Sequence, residues 1–164
     1  MITKELEIIR QAILNETEGY DFYAMAAAKS GAGEAGEAFR QLASEELKHI
    51  DWLKDLYLEL KKDSSGSFEW TSMEEPPDSP EIFSWKNAGL EKGSLAVSVL
   101  GIGIQLERAA IEFYEKAGRE TTIPAAKKLF DVLIKWEYQH LSQFQQDYDM
   151  LREEWWERQG FSPS

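Results

Sequence analysis

Cysteine is absent from this 164-residue chain, which excludes thiol nucleophiles, disulfides, thiolate-held iron–sulfur clusters and Cys-ligated zinc. Any metal chemistry must then rest on oxygen and nitrogen donors. Positive charge is scarce as well: 18 Lys and Arg stand against 30 Asp and Glu, a net charge of −12 that argues against nucleic acid or an anionic membrane surface as partner. Long apolar runs are missing too. The longest uncharged stretch, Gly93 to Leu106 with Gly101 and Gly103 inside it, falls short of the roughly 20 residues that span a bilayer. The N-terminal Met1 to Glu7 has no basic region followed by an apolar stretch, so no signal peptide is read and a cytoplasmic location is expected. Histidine occurs only twice. The length suits one domain, spanning 1–164, whose core needs neither disulfide nor structural zinc.

What the chain does contain is a copy of itself. A shift of 91 residues aligns Ile13 with Ile104, Glu16 with Glu107, Phe22 with Phe113, Tyr23 with Tyr114 and Ala26 with Ala117. The same register continues through Ala35 with Ala126, Phe39 with Phe130, Leu42 with Leu133, Glu46 with Glu137 and His49 with His140. No gap interrupts it, and both histidines take part, which marks an internal duplication.

Within each copy the apolar residues recur every three to four positions, the period of a helix. Four seams follow: Leu6, Ile9, Ile13, Glu16, Tyr20, Tyr23 and Ala27; Phe39, Leu42, Glu46, His49, Leu53, Leu56 and Leu60; Val97, Leu100, Ile104, Glu107, Ile111, Tyr114 and Gly118; and Phe130, Leu133, Glu137, His140 and Phe144. Ser30-Gly31-Ala32-Gly33 and Thr121-Thr122-Ile123-Pro124 break the chain inside each copy, and both joins are short enough for antiparallel hairpins. The expected architecture is all-α: a four-helix bundle with hairpin 1 at about 4–61, a crossover at about 62–93 and hairpin 2 at about 94–158. The crossover is rich in Ser, Gly and Pro but carries Phe68, Trp70, Ile82, Phe83 and Trp85, so it is expected to lie along the bundle, with a short helix starting at Ser79-Pro80-Glu81. Trp155 and Trp156 either cap the core or mark a subunit contact.

Six polar residues interrupt the seams at matching places. Glu16 and Glu46 are equidistant from residue 31 in the first turn, and Glu107 and Glu137 from residue 122 in the second. If the hairpins pack by the symmetry of the repeat, the four carboxylates meet at one level, with His49 and His140 one turn away on the same faces. Four unpaired buried carboxylates are prohibitively costly. No Lys or Arg shares their seams, whereas two divalent cations balance the charge, and the donor set suits iron, manganese or zinc. With 22 glutamates in the chain, both histidines falling three after a Glu by accident has a probability of about 2%. Glu45 and Glu18 lie beside the seams, but Trp136 and Ala109 hold the equivalent positions in the other copy, which assigns both acids to solvent or to an outer layer of the site. Tyr23 and Tyr114 follow Glu16 and Glu107 by seven residues and lean toward the same level, either as core packing or as hydrogen-bond donors to a ligand carboxylate. Gly19 and Ala110, three after those glutamates, leave room for an open face or for close helix packing.

The motifs Glu16-x6-Tyr23, Glu46-x-x-His49, Glu107-x6-Tyr114 and Glu137-x-x-His140 resemble the di-iron domain of rubrerythrins, in the ferritin-like superfamily; bacterioferritins share the six-residue arrangement. The resemblance implies two irons bridged by Glu46 and Glu137, one completed by Glu16 and His49 and the other by Glu107 and His140. It further implies a redox protein reacting with hydrogen peroxide or oxygen, and a homodimer; in such a reaction protons are expected to come through Tyr23, Tyr114 or water, which makes the two tyrosines the catalytic candidates. Two departures bear on function. Rubrerythrins typically add a cysteine-ligated rubredoxin domain, absent from this sequence, so an external electron donor is expected; they also carry a further glutamate where this chain has Ala110. The alternatives are a ferroxidase for iron storage, a dimanganese catalase and a non-catalytic metal-binding bundle.

Overall fold

Apolar side chains every third or fourth residue, with charged ones between them, leave each of the four segments a single low-energy choice: a helix with one face turned inward. The computed structural model of the chain describes residues 2–77 and 93–160. It contains helices α1 (Ile2–Ser30), α2 (Glu34–Lys62), α3 (Gly93–Glu120) and α4 (Pro124–Gln159), with no strand among the described residues. This is the expected four-helix bundle of two hairpins. The first turn closes because Gly31 adopts φ 74° and because Gly36 has no side chain: a Cβ there would sit 2.0 Å from the Gly31 carbonyl oxygen. Pro124 opens α4, where its missing N–H costs nothing.

Two apolar clusters fill the interior. One joins Tyr23 and Ala27 of α1 and Phe39 and Leu42 of α2 to Leu100 and Ile104 of α3 and Phe144 of α4. The other joins Ile9 of α1 and Leu53 and Leu56 of α2 to Tyr114 of α3 and Leu129, Phe130 and Leu133 of α4. The start of α1 therefore packs with the end of α3, and the end of α2 with the start of α4. The two hairpin turns consequently lie at opposite ends of the bundle, and the chain between α2 and α3 must run its whole length, about 40 Å for helices of this size.

The described part of that connection is fastened over α2 and α4. Trp70 Nε1 donates to the Ala125 carbonyl at 3.0 Å, Trp52 Nε1 to that of Ser72 at 3.2 Å, and Trp136 Nε1 to that of Glu74 at 2.8 Å. Phe68 and Trp70 are half-buried and meet edge to face. Gly66, at φ 66°, passes so near the second turn that a Cβ would lie 2.2 Å from Ile123. Ile82, Phe83, Trp85 and the short helix expected at Ser79–Glu81 lie outside the described residues.

Two details differ from the sequence reading. Helix α1 is rotated so that Glu5, Ala12, Gly19 and Ala26 are buried while Leu6, Ile13 and Tyr20 are half-buried, which turns its smallest residues inward. Trp155 and Trp156 are 38% and 44% exposed and pack on each other rather than closing the core. No helix among the described residues is long and apolar enough to cross a membrane. Leu53 is fully buried in the second cluster, so Leu53→Ala should lower stability by about 2–5 kcal/mol in urea unfolding of the metal-free chain; a loss under about 1 kcal/mol would mean that this cluster is not close-packed.

Candidate metal centre

Between the apolar clusters lies a polar layer to which every helix contributes. Glu16 comes from α1, Glu46 and His49 from α2, Glu107 from α3, and Glu137 and His140 from α4, and each of the six is at most 4% exposed. The repeat period placed them there: helices with matched phase and turns at opposite ends cross the middle of the bundle at these residues. His49 Nδ1 lies 3.0 Å from Glu137 Oε1, 3.5 Å from Glu16 Oε2 and 3.8 Å from Glu46 Oε2. His140 Nδ1 lies 3.4 Å from Glu107 Oε1, 3.6 Å from Glu137 Oε2 and 3.8 Å from Glu46 Oε1. The six therefore form two overlapping groups. Glu16, Glu46, His49 and Glu137 make one and Glu46, Glu107, Glu137 and His140 the other, with the potential donor atoms of each group within 4.8 Å of one another.

The tyrosines bind across the hairpins. Tyr23 Oη on α1 donates to Glu107 Oε1 on α3 at 2.6 Å, and Tyr114 Oη on α3 donates to Glu16 on α1. Both hydroxyls thus serve carboxylates of the layer rather than merely packing. Burial first, and then the charges of Glu107 and Glu16 respectively, push both phenols well above their ordinary value, so they remain protonated donors.

Without a cation the layer is electrostatically strained. Burial pushes the carboxyls of Glu46 and Glu107 well above the usual range, and the neighbouring Glu137 charge adds to both. Burial acts on Glu137 in the same direction, but Glu107 and the two imidazoles close around it and hold it well below that range. Burial would lower both histidines. Glu137, Glu16 and Glu46 outweigh it at His49, and Glu107, Glu137 and Glu45 at His140, so both imidazoles are raised.

These residues fit a pair of metal ions. Nδ1 of both histidines, Glu137 Oε1 and Glu107 Oε2 are buried and have no hydrogen-bond partner among the described residues. Such atoms are costly to bury unless something else satisfies them. Carboxylate oxygens and imidazole nitrogens are the donors that iron, manganese and zinc accept, and the shared Glu46 and Glu137 are placed to serve two ions at once.

Access and enclosure differ on the two sides. A cavity of about 200 Å3 reaches Glu16, Glu46, Glu107 and Glu137 from the α1 and α3 side, past Asn15, Glu18, Gly19, Ala109, Ala110 and Phe113. Gly19 and Ala110 do leave room beside the carboxylates, and Glu18 stands exposed at the rim. On the α2 and α4 side the fastened connection covers Trp52 and Trp136, which flank His49 at ring distances of 5.5 and 5.6 Å. Glu45 was left between solvent and an outer layer by sequence reasoning; its Oε2 lies 2.6 Å from His140 Nε2. The repeat concealed this contact, because the matching position is Trp136.

Comparison with known proteins agrees with this geometry. The family model described as Rubrerythrin matches residues 7–148, which covers all six residues of the layer and both tyrosines. No curated protein and no solved structure matches the chain.

Two outcomes follow from the donor set. Because the imidazoles, Glu46 and Glu107 hold protons more tightly than usual, loading with divalent cation should release protons, and affinity should fall as pH falls. Calorimetry in buffers of different ionisation enthalpy checks this; identical heats in all of them would contradict it. Glu137→Ala, which removes an acid common to both groups, should reduce bound metal to one ion or none per chain by elemental analysis, and two ions retained would show that the layer is not the binding site.

Proposed function

The chain belongs to the rubrerythrin family, and on that premise we propose that it is a redox protein whose di-iron carboxylate centre reacts with hydrogen peroxide or oxygen. The observation that carries this reading is the pair of buried Glu/His groups sharing Glu46 and Glu137 beneath a cavity. In this reading Glu16, Glu46, His49 and Glu137 hold one ion, and Glu46, Glu107, Glu137 and His140 the other. When bound, two ferrous ions supply two electrons and Lewis acidity to an O–O bond.

The protein's own residues do the rest. Four carboxylates fix the charge of the centre, and the apolar clusters above and below it exclude bulk water, which strengthens every interaction inside. Tyr23 and Tyr114 keep Glu107 and Glu16 from rotating and stand as the nearest proton donors to those carboxylates. The cavity on the α1 and α3 side admits a small oxidant without passing the histidines. Reduction of the centre is assigned to an external electron donor. We place the protein in the cytoplasm, as a homodimer, and with neither nucleic acid nor membrane as partner.

A second reading, ferroxidase or oxidase, is favoured by Ala110. Rubrerythrin-like sites carry a further glutamate there, and a methyl group in its place leaves the cavity wall apolar.

Anaerobic loading with two ferrous ions per chain, followed by stopped-flow mixing with peroxide and with oxygen in parallel, separates the readings. Fast reaction with peroxide and slow reaction with oxygen is the expected result. The reverse preference selects the ferroxidase, and no oxidation by either oxidant sinks both. Tyr114→Phe should bind two ions as the parent does while slowing oxidation about 10-fold or more; unchanged kinetics would reduce the tyrosine to packing.

A further inference from the structure

The duplication makes the two halves of the centre nearly equivalent, and one position breaks the equivalence. Residue 45 on α2 and residue 136 on α4 occupy the same place in the repeat, each immediately before a layer glutamate. Glu45 reaches across to the histidine of the other hairpin, with Oε2 2.6 Å from His140 Nε2. By the same symmetry residue 136 should serve His49. It is Trp136, whose one polar hydrogen is committed to the Glu74 carbonyl. His49 Nε2 is accordingly buried with no hydrogen-bond partner among the described residues, and its ring lies against the Trp52 and Trp136 indoles.

Both imidazoles present Nδ1 to the carboxylates. An imidazole that binds a cation through Nδ1 carries its proton on Nε2. At His140 that N–H has a carboxylate acceptor, which fixes the ring and makes Nδ1 a stronger donor; at His49 it has none among the described residues. Outer partners of this kind typically govern metal affinity by about 10–100-fold.

The geometry points to two unequal metal positions, with Glu45 as the positioning residue that makes the Glu107–His140 position fill before the Glu16–His49 position. This rests on the two-metal reading of the site and goes beyond it by ranking the positions. One consequence is a state of the protein holding a single ion, at the Glu107–His140 position, whenever metal is limiting.

The test is a crystal of the full chain grown with one equivalent of Co(II), with occupancy at each position taken from cobalt anomalous scattering. The expected occupancy at the Glu107–His140 position exceeds the other by about 10-fold or more. Glu45→Gln keeps an acceptor for Nε2 but removes the charge, and should bring the two occupancies within about twofold of each other. Equal occupancies in the parent chain, or the opposite order, would overturn the ranking and leave two-metal binding standing. A parent ratio that persists in Glu45→Gln would remove Glu45 as its cause. Cobalt at neither position would overturn the ranking together with the two-metal reading. Circular dichroism reports whether the variant folds; if it does not, the parent occupancies alone decide.

Discussion

Four carboxylates buried at one height in a helical bundle are the constraint from which the rest of this structure follows. Desolvation makes such a layer untenable unless positive charge lies inside it, and the only cationic side chains among its members are two histidines. Every helix must therefore deliver its polar residues at the same level and in the same rotational phase. The rest of each helix is free to be apolar. The result is a core divided into two hydrophobic clusters with the Glu/His layer between them. Packing supplies the stability and the layer gathers the donor groups, each kept out of the other's way.

The connection between the hairpins contributes more than its length. Because the two turns lie at opposite ends, the segment after α2 has to travel back along the bundle, and in doing so it accepts indole hydrogen bonds from Trp52 and Trp136 and donates one from its own Trp70 to the Ala125 carbonyl of α4. The described part shields the histidine side of the layer, while the carboxylate side stays in contact with the cavity between α1 and α3. A small molecule arriving there meets carboxylates and tyrosine-tethered oxygens before it meets an imidazole.

Much of this was legible in the sequence because it is periodic. The seam of α2, from Phe39 to Leu60, and that of α4, from Phe130 to Phe144, read directly as buried faces, and the six Glu and His residues announced themselves as polar interruptions at equivalent places. Periodicity was a poorer guide to α1. Ile9, Glu16, Tyr23 and Ala27 of its seam are buried as read, yet Ala12, Gly19 and Ala26 are turned inward beside them in place of Leu6, Ile13 and Tyr20, since small residues suit the inner face of a close-packed pair and leave no hydrophobic signature. Glu45 was harder still. Its role depends on which residue faces it from another helix, and comparing the two copies led away from it, because a contact made in one copy alone looks like noise in an alignment of both.

That departure from the repeat bears on why one chain carries both hairpins. Two identical subunits meeting on a two-fold axis must place the same residue at both related positions, so an acid in one is an acid in the other. Joining the halves covalently lifts that obligation. Glu45 and Trp136 are what the freedom looks like at atomic scale: one pocket with an acid behind its imidazole, its twin with an indole that fastens the covering strap instead.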